Sequence, residues 1–303
     1  MGFDFALARG DLDSATYQRD RVDLAAELRA DARVVVMDEG GRFALTTNKA
    51  EAGARLWSPQ ALRAAGAGKL RGWFLGREEG RPVVSVVLSG TEIAALAPGA
   101  EVFWGELIDF APHLGDQRDS LLATQSAALF AWAARTRSCQ LCGQAVGFNS
   151  GGWTATCSSC GHVDYPRTDP AVIAAVTDPG DRLLLVHNVA WEPLRMSLPA
   201  GYVDAGESAE RAVRREMREE VSLQVGDLRY LGSQPWPRPR SLMLAFAART
   251  ADTEPVADGV EIDRARFFSR AELRKDLASG NLLVPGPAAV AHTVIQAWLE
   301  GDL

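Results

Sequence analysis

The chain has 303 residues, 47% of them hydrophobic and 23% charged, with a net charge of −7. That length allows about two domains, and the composition is that of a globular protein. The acidic balance excludes a protein held on nucleic acid mainly by phosphate neutralisation, though not a local basic site. No apolar run approaches the roughly 18 residues that span a bilayer, and the N-terminus lacks the basic flank and apolar stretch of a secretory signal. The expected compartment is therefore the cytoplasm, with reduced thiols and no membrane partner.

In the first 118 residues, short apolar runs at 33–37, 42–46, 73–75 and 83–88 predict strands. Asp38-Glu39-Gly40-Gly41 predicts a hairpin turn between the first two. Residues 59–65 predict a short helix, with Ser58 as its cap and Pro59 at its first position. No catalytic constellation stands out here, so this part reads as a scaffold or dimerisation domain, mainly β. Residues 119–137 predict a helix capped by Asp119, with Leu122, Leu129 and Trp132 on or near one face.

The four cysteines, Cys139, Cys142, Cys157 and Cys160, form two C-x-x-C pairs separated by 14 residues. Four thiolates at this spacing predict one tetrahedral zinc site rather than two disulfides or a redox pair. Gly143 and Gly161 follow the pairs and permit tight turns. A metal with four protein ligands has no open position, so its expected role is structural. Tyr165-Pro166-Arg167 closes this module.

From Asp169 the pattern changes. Residues 171–176 and 183–187 predict strands about an Asp178-Pro179-Gly180-Asp181 turn. Residues 197–201 read as a turn, and a charged helix follows from Ser208 to about Val221. Further strands are expected at 228–233 and 242–248, and helices at 271–278 and 287–299. Alternating strand and helix signals indicate an α/β or α+β domain. The organisation expected is 1–118, 119–168 (linker helix and four-cysteine ribbon) and 169–303.

Glu216, Glu219 and Glu220 stand at i, i+3 and i+4, so a helix places them on one face. Like charges so placed repel, and a cation reverses the penalty. Oxygen ligands favour a hard ion, magnesium or manganese. Arg215 is offset and can reach back to Glu207, and Gly201 and Gly206 let the intervening loop fold tightly. A solvated Glu/Arg helix has the same bare E-x-x-E-E; the glycine loop at fixed distance separates the two readings.

The combined pattern resembles the Nudix box, G-x5-E-x7-R-E-U-x-E-E-x-G-U with U apolar. Gly201, Glu207, Arg215, Glu216, Met217, Glu219, Glu220 and Leu223 match in register; Ser222 departs, where the family has glycine. Residues 233–241, Ser-Gln-Pro-Trp-Pro-Arg-Pro-Arg-Ser, read alone as a rigid proline-rich loop with an exposed indole. They are similar to the S-Q-P-W-P-F-P-x-S signature of the NADH pyrophosphatase (NudC-type) subfamily, apart from Arg238. The upstream ribbon, the N-terminal domain and Tyr165-Pro166-Arg167 match that subfamily too.

The resemblance implies a Nudix fold, a mixed sheet between helices. It implies metal-dependent hydrolysis of NAD(H) to NMN(H) and AMP, and removal of NAD caps from RNA, by a homodimer. Glu216, Glu219, Glu220 and Glu261 are then ligands of Mg2+ or Mn2+, with Glu220 the favoured base. Tyr202 and Tyr165 are ring-stacking aromatics, the latter reaching the site from the partner subunit. Gln234, Ser241 and Ala291 shape the nucleotide pocket. Arg238, in place of phenylalanine, would stack on a base, pair with phosphate or face away. Hydrolysis of ADP-ribose or another nucleoside diphosphate derivative is the second enzymatic reading. A non-catalytic zinc-ribbon binding module is the third, and the complete glutamate set weighs against it.

Overall fold

The computed structural model describes residues 3–29, 31–46, 56, 71–92 and 102–303. The helix expected at 59–65 lies outside them. The chain divides into two compact units. One comprises Leu7–Thr168 and Pro237–Arg240; the other comprises Met1–Ala6, Asp169–Trp236 and Ser241–Leu303.

In the first unit, a five-stranded sheet has the order β3-β4-β1-β2-β5, from Arg71–Glu78, Arg81–Val87, Arg33–Met37, Phe43–Leu45 and Phe103–Gly105. The expected hairpin joins β1 to β2, with Met37 opposite Phe43 and the Asp38 N–H donating to the Arg42 carbonyl. β1 runs parallel to β4, so this sheet is mixed. Val34, Val36, Val84 and Val86 alternate along the two strands into one core cluster with Phe74 and Leu88.

A long helix, Gln117–Arg135, follows. Leu122, Leu129 and Trp132 are buried on it, as their spacing predicts. Its cap is Asp116, which accepts from the Arg118 N–H, and not Asp119. Asp119 instead points inward, almost fully buried. It accepts from the Arg33 guanidinium and from the Leu56 N–H. Arg33 also holds Glu78 at 2.8 Å. An interior charge held by such non-local partners is invisible to local capping rules.

The ribbon has three short antiparallel strands, β6 (Val146–Asn149), β7 (Thr154–Cys157) and β8 (Val163–Asp164). Gly143 and Gly161 take positive φ, and their N–H groups close the turns onto the Cys139 and Cys157 carbonyls.

In the second unit, β9 (Asp169–Thr177), β10 (Leu183–Asn188), β12 (Val225–Trp236), β13 (Ser241–Thr250) and β14 (Ile262–Phe268) form a mixed sheet of order β12-β13-β9-β10-β14. β13 and β9 are parallel. The sheet is covered on both faces, and the period-2 alternation shows how. Val172, Ala174, Val176, Leu184, Val186 and Phe246 meet Ala212, Val213, Met217 and Val221 of the helix Ala209–Val221. Ile173, Ala175, Leu183, Leu185 and Ala245 face the other way, onto Val294, Ile295 and Trp298 of the helix Val290–Glu300. This is the expected mixed sheet between helices.

Three local expectations are corrected. Residues 200–202 are not part of a turn but a short strand, β11 (Ala200–Tyr202), paired with β9. The stretch 233–241 is not a free loop. Gln234, Pro235 and Trp236 end β12, Ser241 opens β13, and only 237–240 turn. β12 is an edge strand of the sheet, where proline is tolerated. Its Trp236 is half-buried rather than exposed. The last helix begins at Val290, after Pro287 and two alanines. No helix among the described residues is long and apolar enough to cross a membrane.

The Asp119 arrangement yields a test. Asp119→Ala leaves the buried Leu56 N–H without its acceptor and Arg33 with Glu78 in place of two carboxylate partners. It should destabilise the protein by about 3 kcal/mol, read as a lowered denaturant midpoint, whereas Asp116→Ala should cost only about 1 kcal/mol.

Candidate active site

The glutamate helix starts where Ser208 accepts from the Arg211 N–H, and ends at Ser222, which adopts left-handed φ 57° and ψ 28°. Glycine would take that conformation with less strain. With Ser222 there, the helix still runs Ala209–Val221 and carries all three glutamates.

Arg215 is the hub of the site. Its Nε and Nη2 donate to the Glu207 carboxylate, the closest contact being 2.8 Å, and Nη2 also donates to the Tyr202 carbonyl at 2.8 Å. Its Nη1 donates to Glu216 at 2.7 Å and to Glu219 at 3.3 Å. The expected Glu207 partnership is present. The contacts to Glu216 and Glu219 go beyond it, so a guanidinium already offsets part of the carboxylate repulsion. The hydrogen bonds from Arg215 hold Glu207 below the usual carboxylate range, and those same bonds hold the Arg215 proton more firmly.

Gly201 leaves room for the end of the Glu216 side chain. A Cβ there would lie 2.1 Å from the Glu216 carboxylate. Gly206, with φ +84°, supplies the turn.

Glu220 differs from its neighbours. It is 7% exposed, and its Oε2 has no hydrogen-bond partner among the described residues. Burial, then the nearby charges of Glu216, Glu261 and Asp258, push its carboxyl up to about 8. Burial also raises Glu216, against the pull of Arg215. Glu261 therefore lies close enough to act on both, although its own side chain is exposed. Its loop is organised by Asp258, a residue that sequence reasoning missed. The Asp258 carboxylate accepts from the N–H groups of Val260, Glu261 and Ile262, and its own N–H donates to the Glu220 carbonyl at 3.0 Å. The only local signal was Asp258-Gly259 as a turn pair.

An unpartnered buried carboxylate oxygen beside three further carboxylates fits a divalent cation, and the all-oxygen donor set suits a hard one. Among the described residues, only the four cysteines form a group whose ligand atoms all lie within 4.8 Å. Their sulfurs are 3.5–3.6 Å apart in the three closest pairs, near the edge of a tetrahedron with metal–sulfur bonds of about 2.3 Å. All four are free thiols, so the disulfide alternative fails. The Cys160 and Ser159 backbone N–H groups lower the Cys157 thiol, whereas, against the pull of backbone N–H groups, the crowding of neighbouring sulfurs raises the Cys142 and Cys160 thiols.

The remaining predicted residues fall in two groups. In the unit that carries the glutamates, Tyr202 is 54% exposed and its hydroxyl lies 3.4 Å from that of Ser241. Gln234 is fully buried and donates to the Ala288 carbonyl at 3.0 Å, just before the helix that carries buried Ala291. In the other unit, Tyr165 is 54% exposed, and Arg238 pairs with Glu106 at 2.7 Å.

The NUDIX domain family matches residues 167–283. The chain is 38% identical over 287 residues to the "NAD-capped RNA hydrolase NudC" of Mycobacterium bovis, covering 90% of this chain and 86% of that one. The chain belongs to the NudC-type Nudix hydrolases. Human "NAD-capped RNA hydrolase NUDT12" is 34% identical over 61% of this chain and 42% of its own. A Nudix hydrolase structure from Nitrosomonas europaea, 22% identical, aligns with a TM-score of 0.44 over 54% of this chain and 90% of its own. Membership of the family makes the chain a hydrolase, and Nudix hydrolases use divalent metals.

The raised Glu220 has a pH consequence. Its folded-state value near 8 exceeds the ordinary 4.5. The folded protein therefore binds the extra proton between these values, and the associated stability is lost as pH rises through about 8. In metal-free protein, thermal melts from pH 5 to 8 should show falling stability. Glu220→Gln should flatten that fall and be the more stable form at pH 8; an unchanged slope contradicts the assignment.

Proposed function

We propose that the protein hydrolyses the diphosphate of NAD(H) to NMN(H) and AMP, and removes the NAD cap from RNA by the same bond cleavage. The observation that carries the reading is Glu220, a buried carboxylate without a partner, beside glutamates held by Arg215. The names of the NudC and NUDT12 relatives supply the substrate class.

Glu216, Glu219, Glu220 and Glu261 hold magnesium or manganese. When bound, these ions neutralise the diphosphate oxygens and lower the pKa of bound water. Glu220, with Glu219, takes the proton of the attacking water. Water adds to phosphorus in line, and the bridging P–O bond breaks. Arg215 keeps Glu216 and Glu219 oriented without itself accepting a proton.

Tyr202 stacks on one ring of the dinucleotide, while Gln234, Ser241 and Ala291 line the nucleotide pocket. Tyr165 completes the pocket from the partner subunit of a homodimer. Arg238 exchanges its exposed Glu106 contact for phosphate, at little cost because surface ion pairs contribute little. Cys139, Cys142, Cys157 and Cys160 hold structural zinc. The three parts act as scaffold (1–118), linker helix and ribbon (119–168) and hydrolase (169–303), in the cytoplasm.

Two measurements test this reading. Incubation with NADH and magnesium should yield AMP and NMNH, and Glu220→Gln should reduce turnover at least about a hundredfold; cleavage unaffected by that substitution contradicts the role of Glu220. Purified protein should contain one zinc per chain, and Cys139→Ser should lose both zinc and thermal stability. A zinc-free protein with an unaltered melt would overturn the structural metal.

A further inference from the structure

Glu261 reaches the glutamate helix from a distant segment, one residue before β14, and an irregularity in the sheet decides how it arrives. β10 and β14 pair antiparallel, with Arg264 opposite His187 but Ile262 opposite Asn188. Asp263 is therefore the extra residue of a β-bulge. The bulge interrupts the alternation of β14: Ile262 and Ala265, three residues apart, pack in the same cluster against the glutamate helix. Asp263 is left out of that cluster, and its side chain meets His187.

His187 is buried. Its Nδ1 donates to the Asp263 carboxylate at 2.5 Å, and its Nε2 donates to the Glu192 carbonyl at 3.1 Å. One ring thus joins the bulge to the 189–195 loop that leaves β10. Two further bonds tie that loop to the start of β14. The Val189 N–H donates to the Glu261 carbonyl at 3.0 Å, and the Arg264 guanidinium donates to the Pro193 carbonyl. Apolar burial contributes little to this join, because Val189, Trp191 and Leu194 are all exposed. Polar contacts fix where the loop meets Glu261, and the His187–Asp263 bond is the one made at the bulge itself.

A bulge adds a residue that the ladder leaves unpaired, so side chains must set its place. Closing it would carry Glu261 about 3.3 Å along the strand and turn its side chain to the other face of the sheet. That displacement matters to magnesium, which holds oxygen ligands at about 2.0–2.1 Å in near-octahedral geometry. We propose that His187 is a positioning residue for Glu261, its bond to Asp263 fixing the bulge and so the register at which the Glu261 carboxylate approaches Glu216 and Glu220. This rests on the reading of Glu261 as a metal ligand in the preceding section. His187 acts through Asp263 and the strand, and not on the metal itself.

The experiment measures manganese binding to substrate-free, full-length protein by electron paramagnetic resonance of the free ion. The variants are Asp263→Asn, His187→Gln, the two combined, and Glu261→Gln, each checked by thermal melting. Asp263→Asn, at a partly exposed position, should weaken manganese binding about tenfold. His187→Gln should do the same, and the double variant should be no worse than either alone, because all three remove one bond. In NADH hydrolysis the manganese concentration for half-maximal rate should rise by the same factor, with kcat at saturating manganese within about twofold of wild type. A fall in kcat with unchanged half-saturation overturns the proposal, as do single effects that add in the double variant. Normal manganese binding by Asp263→Asn and His187→Gln, with Glu261→Gln weakened, overturns the role of His187 and leaves Glu261 a ligand. Normal binding by Glu261→Gln overturns both readings. If His187→Gln melts below the assay temperature, Asp263→Asn decides by the same criterion, and the binding measurement stands whether or not NADH is cleaved.

Discussion

The site depends on one guanidinium. Arg215 sits between Glu207 in the preceding loop and Glu216 and Glu219 on its own helix, and binds the Tyr202 carbonyl as well. Five N–H donors in a rigid fork can satisfy several acceptors at once, which a lysine ammonium cannot do in the same geometry. The loop from Gly201 to Glu207 is therefore fastened to the helix, and Tyr202 is fixed by its backbone. With Glu216 and Glu219 so held, the remaining glutamate faces inward with an unpartnered oxygen. The cost of burying that carboxylate is what a divalent cation can reverse.

The fold supplies the frame for this hub. The alternation along β9 and β10 sends one set of side chains to the glutamate helix and the other to the C-terminal helix. The glutamate helix is thus anchored by Ala212, Val213, Met217 and Val221 on one side while its other side presents the charged residues. Asp258 ties the end of that helix to the loop bearing Glu261, through one bond to the Glu220 carbonyl and three to loop N–H groups. Four carboxylates drawn from two distant segments are brought into mutual electrostatic range in this way.

Much of this was legible in the sequence, because the signals are local and periodic. The cysteine spacing, the β-strand alternation and the i, i+3, i+4 glutamates each encode a geometry within a few residues. The misreadings share a different physics. Asp119 looks like a cap until Arg33, 86 residues away, is seen to hold it inside. The prolines of 233–241 suggest a loop, yet β12 lies at the sheet edge and needs no ladder donor from Pro235. Asp258 carries only the turn signal of Asp258-Gly259, which does not reveal that it ties the loop to the helix end. Arg215 is expected to reach Glu207, and Glu219 stands at i+4 from it on the helix, but its contact with the adjacent Glu216 depends on side-chain conformations that spacing does not encode.

The central claim is that the buried Glu220 carboxylate is a metal ligand and not a structural accident. Manganese binding, followed by electron paramagnetic resonance of the free ion, tests it without any assay of turnover. Wild-type protein should deplete free manganese, and Glu220→Gln, with its fold verified by thermal melting, should bind at least about tenfold more weakly. Equal binding by the two proteins would contradict the account.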